Sequence, residues 1–261
     1  MHAEGINMDR RKAITSLAMS PLMAAAADAP QPQYYELRRI QLRNGTQPKR
    51  ANEFFSKNFM SAARKAATGP VGVFNSVIGD RSPFLLVLIT HATFADAEHF
   101  SDKLMADTDF THGLEEFNKS MDPGFVRSEN TLLRAFSGWP QLQVPPESKT
   151  GHFFEMRTYE SNDEQTLRRK IGMFNQGESK VFQKLGMNPV FFAEAMFGSQ
   201  LPHLTYMLAY NDWASRERLW SAFGSDPDWQ KLRGIPSLSD PEIVSNTTNT
   251  ILRGTAYSDI R

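Results

Sequence analysis

The chain has 261 residues, enough for one large core or two small ones. Basic and acidic residues balance at 29 each, so no global field draws it to nucleic acid or anionic lipid. It has no cysteine, which excludes disulfides, thiolate nucleophiles and thiolate metal ligands.

Taken in order, the chain opens with Arg10-Arg11-Lys12 ahead of Ala13–Ala27, a short run of small, weakly apolar residues. A basic stretch, a brief apolar stretch and an Ala-rich end predict an export signal, too short to span a bilayer. The arginine pair resembles a twin-arginine signal, from which Ala13 departs. Cleavage is expected within Ala24–Ala29, and Met8 reads as an alternative start. The expected location is the periplasm or outside the cell; a mitochondrial or cytoplasmic chain is the alternative.

Tyr34–Leu42 alternates as a half-buried strand. Asn44-Gly45 turns the chain, and Pro48 suits the first turn of a helix. Phe54, Phe55, Phe59, Ala62, Ala63 and Ala66 then keep helical spacing to about Thr68, where Gly69 stops it. Val71–Ile78 and Phe84–Thr90 read as strands around a Gly79–Pro83 turn. Thr93 is the expected cap of a second helix from Phe94. Asp122-Pro123-Gly124 precedes a fourth strand, Val126–Phe136.

The chain then repeats itself. Tyr35-Glu36-Leu37-Arg38 returns as Phe154-Glu155-Met156-Arg157, an offset of 155 − 36 = 119 residues. The same offset relates Pro70-Val71 to Pro189-Val190, Gly79 to Gly198 and Pro83 to Pro202. It also relates Asn130-Thr131-Leu132-Leu133-Arg134 to Asn249-Thr250-Ile251-Leu252-Arg253. One ungapped offset marks an internal duplication.

Each copy reads βαββαβ, a ferredoxin-like unit. The predicted organisation is residues 1–32 as signal and disordered N-terminus, 33–136 as first repeat, 137–151 as linker and 152–257 as second repeat. A single such sheet has helices on one face only and needs a partner for the other. Two copies supply each other, predicting an α+β fold closed as a barrel with helices outside.

The first-strand phrases, the amphipathic helix, the Gly-to-Pro hairpin and the run Tyr210-Asn211-Asp212-Trp213-Ala214 resemble the NIPSNAP family, in both repeats, over nearly all of residues 33–255. The resemblance implies the dimeric α+β barrel superfold, here with its pseudo-twofold inside one chain. That superfold also carries haem enzymes, cofactor-free monooxygenases and lactone isomerases, and the resemblance implies no settled activity. The first repeat departs at Phe94 and His91, where the second has Trp213 and Tyr210.

Alternation assigns Leu37 and Met156 to the face under the helices, which points Glu36, Arg38, Glu155 and Arg157 into the barrel. There Glu36 or Glu155 is the candidate general base, with Arg38 and Arg157 as clamps for an oxyanion or carboxylate. The opposing expectation is an internal ion-pair network that fixes strand register. His91 and Tyr210, at matched ends of the third strands, and Asn130 and Asn249, in the fourth, are further candidate ligand contacts. Each has a plain structural alternative as a hydrogen-bonded or strand-capping residue, as does His203.

The six histidines show no metal-ligand spacing, so no metal and no cofactor is expected. The alternative is a haem held by one distal histidine, His112 or His99. Asp107/Asp109 and Asp226/Asp228 read as helix-exit turns.

The expected function is binding of a small, partly apolar molecule in the barrel interior, with no nucleic-acid partner and no membrane span. The alternatives are a cofactor-independent monooxygenase or isomerase, and a non-catalytic interaction module. Further homo-oligomerisation is allowed but not required. If Val73, Val77, Phe192 and Met196 fill the barrel centre, no room is left for a substrate.

Overall fold

A computed structural model describes His2 and residues 30–119, 121–148 and 151–261. The expected export signal and cleavage site lie outside the described residues.

The described residues form eight strands: β1 (Tyr34–Gln41), β2 (Val71–Ile78), β3 (Phe84–His91), β4 (Arg127–Ala135), β5 (Phe153–Glu160), β6 (Asn188–Phe197), β7 (His203–Tyr210) and β8 (Asn246–Gly254). All pair antiparallel, in the closed order β1-β3-β2-β8-β5-β7-β6-β4. The repeat-internal sheets are β4-β1-β3-β2 and β8-β5-β7-β6. They join edge to edge, through β2 with β8 and β4 with β6. Closure removes every sheet edge, so Asn130 and Asn249 on β4 and β8 have no edge to protect.

The helices also repeat. α1 (Gln47–Phe54) and α2 (Met60–Ala66) are joined through a π-helical turn at Phe55–Phe59. After α3 (Phe94–Met105) and α4 (Thr108–Asn118) comes the second copy, in which α5 (Glu164–Met173) and α6 (Ser179–Lys184) flank a π-helical turn at Phe174–Glu178. α7 (Trp213–Ser225), α8 (Pro227–Arg233) and α9 (Asp240–Ile243) complete it.

Local chemistry explains the starts. Pro48 sits in the first turn of α1, Thr93 and Asp96 form a capping box on α3, and Asp212 accepts from Ser215 N at 2.6 Å to cap α7. Asp107 and Asp226 do more than end a helix, because each caps the next one. Asp226 accepts from Asp228 N at 2.9 Å and Trp229 N at 3.2 Å, and pairs with Lys184. Asp226→Ala should therefore lower the melting temperature by a few degrees, measured by circular dichroism, with Asp226→Asn recovering much of the loss.

Three apolar clusters fill the structure. One lies between the first sheet and its helices and includes Ile40, Val73, Val87 and Ile89. The second does the same for the other repeat, with Phe153, Phe192, Tyr206 and Tyr210. The third draws on both repeats and is the barrel interior, with Tyr35, Leu37, Phe74, Phe154, Phe191 and Met207.

This reverses the expected facing of the first strands. Leu37 and Met156 point into the barrel, while Glu36, Arg38, Glu155 and Arg157 lie under the helices. Both faces of each sheet are buried, so apolar identity does not say which face is which. Val73 and Phe192 accordingly pack under helices, and Val77 is half exposed. The aromatics that fill the barrel are Tyr35, Phe74, Phe84, Phe154 and Phe191, with Ile260 from the C-terminal tail in the same cluster.

The linker opens in a turn, closed by Trp139 N donating to Phe136 O at 3.0 Å, and is pinned in place. Trp139 meets Phe192 edge-on at 5.3 Å, and Gln143 N donates to Val190 O at 2.8 Å.

Candidate functional site

The charged pair of each first strand is covered by the second helix of its own repeat, and the two repeats treat it differently. In the second, Glu155 is fully buried and saturated with donors. Arg157 Nη1 reaches it at 3.0 Å, Arg216 at 2.8 and 2.9 Å, and Trp220 Nε1 at 3.1 Å. Burial pushes the Glu155 carboxyl up, but the arginines and the indole prevail and hold it below the ordinary carboxylate range.

The polar layer continues inward from there. Arg157 donates to Tyr159 Oη at 3.1 Å, and Tyr159 shares a 2.9 Å bond with Tyr206. Burial keeps both phenols neutral, their pKa values pushed up. Lys170, buried, donates to Glu178 at 3.2 Å and lies over the rings of Tyr159, Phe174 and Trp229. This network packs the second repeat.

In the first repeat Glu36 receives Arg38 Nε at 2.7 Å and Arg38 Nη2 at 3.2 Å, with Asn130 Nδ2 at 3.3 Å. His91 Nε2 stands 3.6 Å from Glu36 Oε2, and among the described residues neither ring nitrogen of this buried histidine has a hydrogen-bond partner. Phe100 meets the His91 ring edge-on at 5.3 Å. Burial raises the Glu36 carboxyl, yet His91 and Arg38 bring it below its ordinary value. Tyr210, the counterpart of His91, is buried against Phe153, and its hydroxyl also lacks a partner.

Glu36 and Arg38 therefore do not meet Glu155 and Arg157 across the pseudo-twofold. They occupy separate sheet–helix layers. Asn130 joins the first group; Asn249, opposite Arg157 in the β5–β8 register, is exposed.

Among the cavities of the described residues, two border the barrel end and the first-repeat charged pair. One is a cleft of about 600 Å³ at the end of the barrel where the β2–β3 and β6–β7 hairpins lie. Its walls are repeat-related: Leu37 with Met156, Arg39 with Thr158, Arg81 with Gln200, Thr131 with Thr250. The charges at this mouth largely satisfy one another. Arg81 and Arg127 pair with Glu129 and Arg39 donates to Asp80 O, although Arg39 Nε has no acceptor. His203 also lines the cleft, buried, its Nδ1 3.2 Å from Gln200 O.

The other cavity, about 250 Å³, lies between the first sheet and its helices. Phe54, Phe55, Phe59, Phe110, Phe117 and Phe125 line it, with Arg38 and Ser101 as the polar wall. The π-helical turn supplies two of these rings, and such turns are frequent at functional sites. An apolar pocket with a few convergent polar groups is the usual form of a small-molecule site. No sequence expectation pointed here: the phenylalanine stripe read as core. The signal was in the repeat, where Ser101 stands against Trp220 and Ile40 against Tyr159.

His99 and His112 are exposed and line neither cavity. Among the described residues no cluster of His, Asp or Glu could hold a metal ion, and no helix is long and apolar enough to cross a membrane.

Residues 154–259 match the model of the NIPSNAP family, bearing out the resemblance for the second repeat. No curated protein matches the chain. Among solved structures, the "putative monooxygenase" of Lactobacillus acidophilus NCFM aligns at a TM-score of 0.53 and 8% identity, over 86% of this chain and 94% of that one. An anthrone oxidase-like protein aligns at 0.52 and 10% identity, over 87% and 93%. At these identities the likeness establishes the shared barrel fold. A NIPSNAP family protein of Agrobacterium tumefaciens C58 aligns over 45% of this chain and 98% of its own, at 20% identity and a TM-score of 0.39.

Proposed function

We propose that this chain, whose second repeat is a NIPSNAP domain, is a binding protein for a small, partly apolar molecule held in the phenylalanine-lined pocket of the first repeat. The observation that carries the reading is the inequality of the two halves. Where the second repeat packs Trp220 against Arg157 and Glu155, the first has Ser101 and an apolar pocket.

The barrel centre, where the ligand was expected, is occupied by Tyr35, Phe74, Phe154 and Phe191. Catalysis by Glu36 or Glu155 finds less support. A general base at neutral pH wants a raised pKa, and both carboxyls are lowered. Glu155 has its lone pairs engaged as well. Export through the Arg10-Arg11 segment belongs to the same proposal, and N-terminal sequencing of the mature chain tests it.

The test is native mass spectrometry of the chain purified from the organism that makes it. A small molecule should travel with the wild type and be lost from Leu104→Phe, which installs the residue found at the matching place in the second repeat. A ligand retained undiminished by that variant would move the site to the barrel-end cleft and overturn the proposal.

A further inference from the structure

The second repeat shows in its own side chains what the first-repeat pocket lacks. Four residues lining the pocket are Ile40, Ser101, Leu104 and Phe110. At the 119-residue offset the second repeat carries Tyr159, Trp220, Phe223 and Trp229. Each is larger and aromatic. Elsewhere on the wall the first repeat is the larger, with Phe54, Phe59, Phe117 and Phe125 against Met173, Glu178, Pro236 and Val244. The difference is therefore local, and its largest part is the indole of Trp220 against the hydroxymethyl of Ser101.

The second repeat also shows how that ring is held. Trp220 lies under the Arg157 guanidinium, 4.7 Å from its centroid, and donates Nε1–H to Glu155 Oε2 at 3.1 Å. The first repeat keeps both receiving groups, Arg38 and Glu36, in the same strand positions. It loses the two side chains that complete the donor set, since Ala97 replaces Arg216 and Ser101 replaces Trp220. Arg38 Nη2 still joins Glu36 Oε2 at 3.2 Å and Ser101 Oγ at 3.3 Å. Phe100, where the second repeat has Leu219, covers one face of the guanidinium at 5.0 Å from its ring centroid, and the side toward Ser101 has no indole in the place of Trp220.

Resting on the small-molecule reading above, we propose that the first-repeat pocket binds a planar aromatic molecule bearing an N–H or O–H donor, stacked on Arg38 and hydrogen-bonded to Glu36. The ligand takes the place that an internal tryptophan takes in the second repeat. Three forces serve it. The phenylalanine walls give apolar burial, Arg38 gives a cation–π contact, and the Glu36 carboxylate gives a charge-assisted acceptor. An apolar protein cavity of roughly 150 Å³ already takes up benzene, so the volume here suffices for a substituted ring.

The test compares indole with indene, a bicycle of the same shape with no N–H, by calorimetric titration of the full chain. Indole should bind at one site, at least about tenfold more tightly than indene, since a hydrogen bond to a buried carboxylate distinguishes them. Ser101→Trp should abolish indole binding by supplying the ring from within, without lowering the melting temperature. Should that variant misfold, Leu104→Phe serves as the second filling. Equal binding of indole and indene, lost on filling the pocket, would overturn the donor and keep the small-molecule reading. Failure of both bicycles to bind would overturn the inference. Indole binding unchanged by both fillings would place it elsewhere and overturn the inference.

Discussion

Glu155→Gln is expected to destabilise the chain by roughly 3–5 kcal/mol, the cost of breaking a buried ion pair by removing one partner. Glutamine keeps the shape and one acceptor, but it leaves Arg157 and Arg216 facing each other under α7 without the charge that binds both. For a chain of this size the loss is on the order of ten degrees in melting temperature, read by calorimetry. Glu36→Gln should cost less, about 1–3 kcal/mol, because Glu36 has one arginine instead of two and is not fully buried.

The pH dependence carries the same sign. Both carboxyls have folded pKa values below their ordinary 4.5, so their stabilisation is fully present above that value. It is lost as pH falls through the depressed folded values. Acid unfolding followed by tryptophan fluorescence should begin at higher pH, and be less steep, in Glu155→Gln. A Glu155→Gln chain that melts with the wild type would mean that the donors around the carboxylate are dispensable.

Phe154→Ala should cost a further 3–5 kcal/mol on its own, as for a fully buried phenylalanine. Phe154 stands in the barrel interior and meets Phe74 edge-on at 4.9 Å. The barrel wall is hydrogen-bonded all round and cannot close over the gap. Chemical denaturation reads the effect. A loss below about 1 kcal/mol would mean that the interior repacks freely and that its aromatic filling does not set stability.

Much of this protein was legible in one dimension. The offset of 119 residues recurs in three dimensions at every level. β1 and β5, β3 and β7, the two π-helical turns, and the left-handed residues Arg81 and Gln200 all obey it. Strand and helix starts followed from local signals such as Pro48, Thr93 and Asp212, because caps and turns are satisfied within a few residues.

What the sequence could not supply was the facing of the strands. Alternation reports that two faces differ, and in a strand with one wet face it also says which is buried. Here Tyr35 and Leu37 meet the barrel core while Glu36 and Arg38 meet a helix, so both faces are dry. Only the approach of α7, bringing Arg216 and Trp220 onto Glu155, decides that the charged face goes outward.

The pocket was hidden for a related reason. Phe54, Phe55 and Phe59 look like core, and they are core on three sides. The fourth side is open because Ser101, remote in sequence, is too small to cover it. The sequence by itself determined the duplication, the element order and the closed barrel, since these rest on periodicity and local chemistry. Tertiary structure alone decided which face holds the charges and where volume is missing, because both depend on side chains that residues far along the chain bring, or fail to bring, to the same place.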